Sequence, residues 1–64
     1  MEEREYFTGT IKYIKGGGIL ITVDEVEEDI WFPTSQIETT EYLEIGNLIE
    51  FSIPEWLAIE KELV

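Results

Sequence analysis

The apolar residues of this chain come in short runs, each closed off by glycine, proline or a cluster of acids. Such punctuation is the pattern of a small β-barrel or sandwich. Phe7 to Ile14 is rich in threonine, isoleucine and aromatic residues, as strands tend to be. Phe7, Ile11 and Tyr13 share one parity, and Ile14 breaks the alternation. Gly16-Gly17-Gly18 then supplies a permissive turn; it lacks the Lys-Ser/Thr that follows the glycines of a phosphate-binding loop. In the next run Ile19, Ile21 and Val23 share one face while Leu20 and Thr22 take the other. Ile30-Trp31-Phe32 makes a third run, which Pro33 ends or places at an edge, because proline cannot donate to a ladder. Thr34 to Ile37 reads as a single helical turn capped by Thr34 or Ser35. A polar stretch from Glu38 to Glu44 leads to Gly46 and then to the clearest strand, with Ile49, Phe51 and Ile53 inward and Glu50 and Ser52 outward.

The segment from Pro54 to Val64 supports two readings. Good helix formers follow the proline, and Trp56, Ile59, Glu60 and Leu63 fall at helical spacing. As a strand, Leu57 and Ile59 point one way and Trp56, Ala58 and Glu60 the other. Local propensity prefers the helix, yet four strands leave an open edge that a fifth, through Leu57 to Ile59, would cover. The expected fold is therefore all-β, a small five-stranded antiparallel barrel, with a C-terminal helix as the alternative to strand five.

A chain of 64 residues allows one domain, spanning 1–64. With no cysteine and no histidine it has neither disulfide nor zinc to staple a small core. The same absence removes the usual nucleophile and base combinations, so neither an enzyme nor a cofactor is expected. Its 44% hydrophobic content and eight aromatics argue for a folded core over an acidic disordered tail. No apolar run approaches the roughly 18–20 residues that span a bilayer. Met1-Glu2-Glu3-Arg4-Glu5 lacks the basic start and apolar middle of a secretory signal, so the expected location is cytoplasmic, away from membranes.

The residues resemble the cold-shock domain, a five-stranded OB-fold barrel of nearly this length. Gly9-Thr10-Ile11-Lys12-Tyr13-Ile14 stands where that family has Gly-x-Val-Lys-Trp-Phe. Asp29-Ile30-Trp31-Phe32-Pro33-Thr34-Ser35-Gln36-Ile37 stands in register with its Asp-Val-Phe-Val-His-Phe-Ser-x-Ile. Leu43, Gly46, Ile49, Phe51 and Ile53 follow its fourth strand in order and spacing, and Ala58 corresponds to an alanine of its last strand. The resemblance implies a single-strand nucleic-acid face, of which Lys12, Tyr13 and Trp31 remain, with Lys15 beside them. Two stacking rings of the family's second strand become Gly17 and Ile19, or Gly18 and Leu20 if the register slides by one. Its histidine and last ring become Pro33 and Thr34.

The loss is large on the scale of binding. Each stacked base contributes about 1–3 kcal/mol, so three missing rings remove roughly 3–9 kcal/mol if additive. Millimolar to micromolar affinity is only about 4–8 kcal/mol in total. Fifteen acids against four bases give a net charge of −11, which repels a phosphate backbone as well. A solvated surface that keeps the protein soluble explains such charge without any partner. The expected function is instead that of a small acidic binding module acting by contact with a basic protein surface, as an accessory or inhibitory factor of nucleic-acid machinery. Tyr13, Trp31 and the acidic loop of Asp24, Glu25, Glu27, Glu28 and Asp29 form the expected contact region. That loop lacks the alternating ligands and central glycine of a calcium-binding EF-hand loop, and it reads as a charged hairpin tip. Single-stranded RNA or DNA binding is one alternative, and a nucleic-acid mimic of phage type is another, although thirteen Glu against two Asp imitate regularly spaced phosphates poorly.

Overall fold

A computed structural model describes residues 3–64; Met1 and Glu2, the first two of the five N-terminal residues read as lacking a secretory signal, lie outside the described residues. The chain runs β1 (Arg4–Lys15), β2 (Gly18–Val23), β3 (Glu28–Pro33), a 3-10 turn (Thr34–Gln36), β4 (Leu48–Pro54) and α1 (Glu55–Glu60). All strand pairings are antiparallel, in the order β3-β2-β1-β4. Three consecutive strands with the fourth returned beside the first make a Greek key.

Strand β1 serves two partners along its length. Arg4 to Thr10 pairs with β4, whereas Gly9 to Lys15 pairs with β2, so only Gly9 and Thr10 belong to both ladders. The strands pack closely there: a Cβ on Gly9 would lie 2.5 Å from both Ile21 Cγ2 and the Thr22 carbonyl oxygen. The curl brings the two outer strands together through side chains: Phe32 of β3 meets Phe51 of β4 edge to face at 5.6 Å, and Phe7 stands 6.0 Å from Phe51 on the other side. Around these rings Ile11, Ile19, Ile21, Val23, Ile49, Ile53, Leu57 and Ala58 complete the buried core. At the first hairpin Gly16 alone takes a positive φ (58°), as a two-residue II′ turn requires of its first position.

The C-terminal segment departs from the expected fifth strand. Leu57 to Ile59 lies in α1, and among the described residues no strand pairs β3 with β4. Local propensity prevails because Pro54 (φ −59°, ψ 148°) ends β4 in an extended conformation that also sets up the first helical turn. Six residues are too few for an isolated helix, and Leu57 and Ala58 hold it by inserting into the core. The stripe read from the sequence is turned, since Trp56 and Ile59 are exposed. Capping by Thr34 or Ser35 is also corrected: Pro33 is the cap of the 3-10 turn, with no side-chain hydrogen bond.

Arg4 ties the ends of the fold together. Its Nε donates to Ser52 Oγ at 2.9 Å, and Nη2 donates to the carbonyls of Gln36 (2.9 Å) and Ser52 (3.0 Å). Its Nη1 lies 3.4 Å from Glu38 Oε2. Ser52, only 4% exposed, is thereby satisfied, and one of the chain's four cations is committed to structure.

Candidate contact face

Register explains how two aromatics come to share the outer face. Ile11 pairs with Ile21 and Tyr13 with Leu20, which leaves Lys12 as an extra residue on β1. A bulge of this kind re-aims the side chains that follow it. Ile11 and Ile14 therefore both turn to the interior side, while Lys12 and Tyr13 are exposed. The parity break at Ile14 is the sequence trace of that bulge.

Across the sheet Tyr13 stands opposite Leu20, and Leu20 opposite Trp31. The two rings meet edge to face, with centroids 6.2 Å apart and planes at 88°. Tyr13 is 49% exposed and Trp31 45%, so the pair is half covered by its own neighbours and half available. Gly18 lies beneath the indole: a Cβ there would come within 3.3 Å of Trp31 Cε3. The outward positions of β2 are thus Gly18, Leu20 and Thr22, while Ile19 is fully buried. Neither outward position Gly18 nor Leu20 supplies a ring.

The charges are graded along this face. Lys15 lies at the Gly18 and Pro33 end, Lys12 beside Tyr13, and Asp29 two residues from Trp31 on the same side of β3. The acidic loop is not a single unit. Asp24 to Glu27 form the turn, whereas Glu28 and Asp29 begin β3. Glu25 reaches back to β1, where its carboxylate accepts from the Thr8 N–H (3.1 Å to each oxygen) and from the Thr8 hydroxyl (3.2 Å). Asp29 accepts from the Thr22 hydroxyl at 2.6 Å. Asp24, Glu27 and Glu28 remain exposed, with Glu27 in the left-handed region (φ 56°).

The sequence offers Gly17 and Ile19, or Gly18 and Leu20, at these positions of the face, and the pairing register selects the second pair. Sequence reasoning missed a separate groove between β1, β4 and residues 37–43, with Tyr6, Ile37 and Leu43 against Glu25, Glu41 and Glu50. No local motif marks that groove, because the fold assembles it from segments distant in sequence. Among the described residues no group of three or more acids is placed to hold a metal ion, and no helix is long and apolar enough to cross a membrane. No protein family, curated protein or solved structure matches this chain.

Proposed function

We propose that this protein is a small cytoplasmic binding module, built on a cold-shock-like OB scaffold, that acts by contact with a basic protein surface as an accessory or inhibitory factor of nucleic-acid machinery. The scaffold reading is supported by the Greek-key strand order and the curled sheet, the OB-fold being a partly open Greek-key barrel. The observation that carries the function is the half-exposed Tyr13–Trp31 pair, placed next to an acidic hairpin on a chain of net charge −11. Rigid aromatics make good anchors, and carboxylates around them favour basic partners and speed their approach.

A second reading, single-stranded RNA or DNA binding, is favoured by one observation. Lys12 and Lys15, two of the four cations, are exposed on the same face as the two rings. Two rings and two lysines remain a small footing against the surrounding charge, and this reading stands second.

Immobilised protein should capture a basic partner from extract, with capture falling as salt rises. Trp31→Ala should weaken it by about 2 kcal/mol, roughly 30-fold, while Trp56→Ala should leave it unchanged. Reproducible failure at low salt, or capture indifferent to Trp31→Ala, would count against the proposal. Micromolar binding of labelled oligothymidine that is lost with Trp31→Ala would install the second reading instead.

A further inference from the structure

A sheet edge presents a row of N–H and C=O groups that templates another strand unless it is covered or blunted. The two edges of this sheet are treated differently. Along β4, Glu38 and Ser52 exchange both backbone hydrogen bonds (3.0 and 2.9 Å). The Glu50 N–H donates to the Glu41 carboxylate at 2.7 Å, and the Thr39 hydroxyl donates to the Glu50 carbonyl at 2.6 Å. Residues 38–41 thus close that edge group by group. Strand β3 has no counterpart: among the described residues, the backbone groups of Glu28 to Phe32 that point away from β2 have no hydrogen-bond partner. The bond from Thr22 to Asp29 runs back toward β2 and leaves the edge open.

We infer that the β3 edge takes up an extended basic segment of a partner protein as an added strand, with Trp31 and the neighbouring carboxylates selecting it. The inference rests on the basic-partner reading and gives it a binding mode. Charge decides the occupant. Glu27, Glu28 and Asp29 stand exposed at the start of this edge, and a second copy of the chain would bring the same acids and a further net charge of −11. These acids disfavour self-pairing, as edge charges do, yet they attract a cationic strand. The two sides of β3 define the alternation such a strand needs. On the outer side Asp29 and the half-exposed Trp31 ring suit lysine or arginine, by ion pairing and by cation–π contact. On the inner side Ile30 is only partly covered and packs against the core, so an apolar residue fits beside it. Main-chain bonds would supply affinity, and the alternating side chains specificity.

The test is a titration of the ¹⁵N-labelled full chain, at low salt, with the peptide acetyl-Lys-Val-Lys-Val-Lys-Val-Lys-amide. A copy N-methylated at its three central residues keeps every charge and loses its central donors on both edges. The expected result is amide shifts concentrated on Glu28 to Phe32, new protection from hydrogen exchange at alternate β3 amides, and binding of the methylated copy at least about tenfold weaker. Equal binding of the two peptides, or shifts at Tyr13 and Trp31 without β3 protection, would overturn the edge mode and leave the basic-partner reading standing. Protection of β3 amides that grows with protein concentration in the absence of peptide would assign the edge to a second copy and overturn the inference. No response to either peptide would remove both readings.

Discussion

Glu62 closes α1 in the left-handed region (φ 60°), where glycine is the usual residue. The Leu63 N–H donates to the Ala58 carbonyl at 2.8 Å and the Glu62 N–H to the Ile59 carbonyl at 3.0 Å, the paired bonds of a Schellman motif. A side chain in this conformation costs roughly 1–2 kcal/mol, partly offset by about 0.5–1 kcal/mol for the greater freedom of an unfolded glycine. A carboxylate at a helix C-terminus is unfavourable by a further 0.3–1 kcal/mol or so. Glu62→Gly should therefore stabilise the fold by about 1 kcal/mol in urea unfolding, and Glu62→Gln, which removes only the charge, by less than half as much. Equal gains would mean that charge alone is responsible. Gly9 is the opposite case. Its missing side chain is required by the backbone of β2, so Gly9→Ala should destabilise by about 1–3 kcal/mol, the usual range for overpacking. An unchanged urea midpoint would show that β2 yields easily at this close approach. Neither requirement is visible in the chain itself, because each is imposed by a conformation or a neighbour distant in sequence.

The strands were legible where alternation was clean. Ile19, Ile21 and Val23, and again Ile49, Phe51 and Ile53, are buried as their parity requires, while Leu20, Thr22 and Glu50 face outward; Ser52, expected outward with Glu50, is instead buried beneath Arg4. The segment after Pro54 was legible only as a choice. A rule about open edges favoured strand, local propensity favoured helix, and the helix forms with residues 38–41 covering only the β4 edge while the β3 edge stays open. Of the contact face, Tyr13 and Trp31 could be named in advance, but not their contact, which depends on the bulge at Lys12 and the register through Leu20. The interior has a similar long-range dependence. Phe51 touches both Phe7 of β1 and Phe32 of β3, so among the described residues it links the sheet's outer strands where no ladder does. Phe51→Ala should cost about 3–5 kcal/mol, comparable to the whole stability of a domain this small, and leave the chain largely unfolded by circular dichroism. Phe51→Leu keeps more of the apolar volume, so it should cost clearly less than Phe51→Ala and remain folded. A folded Phe51→Ala variant with a cooperative transition would show that the curl is held elsewhere.

At the scale of the whole molecule, fourteen of the fifteen acids lie among the described residues, on a body of only 29 × 23 × 20 Å. Two unit charges 10 Å apart repel by about 0.4 kcal/mol in water before screening. Many such pairs are relieved when the chain expands, so repulsion lowers the stability of the folded state. Among the described residues the ion pair of Arg4 with the exposed Glu38 contributes at most about 1 kcal/mol to set against it. Salt weakens both terms, and the larger one decides the sign. Raising sodium chloride from about 0.01 to 1 M shortens the screening length from roughly 30 to 3 Å. The thermal midpoint should rise across that range by about 4–8 °C for each kcal/mol of repulsion removed. The same addition should release any basic partner, so stability and binding should move in opposite directions with salt. A midpoint that stays flat or falls would mean that the acids are held apart well enough to cost nothing on folding, and the charge would then bear on partners alone.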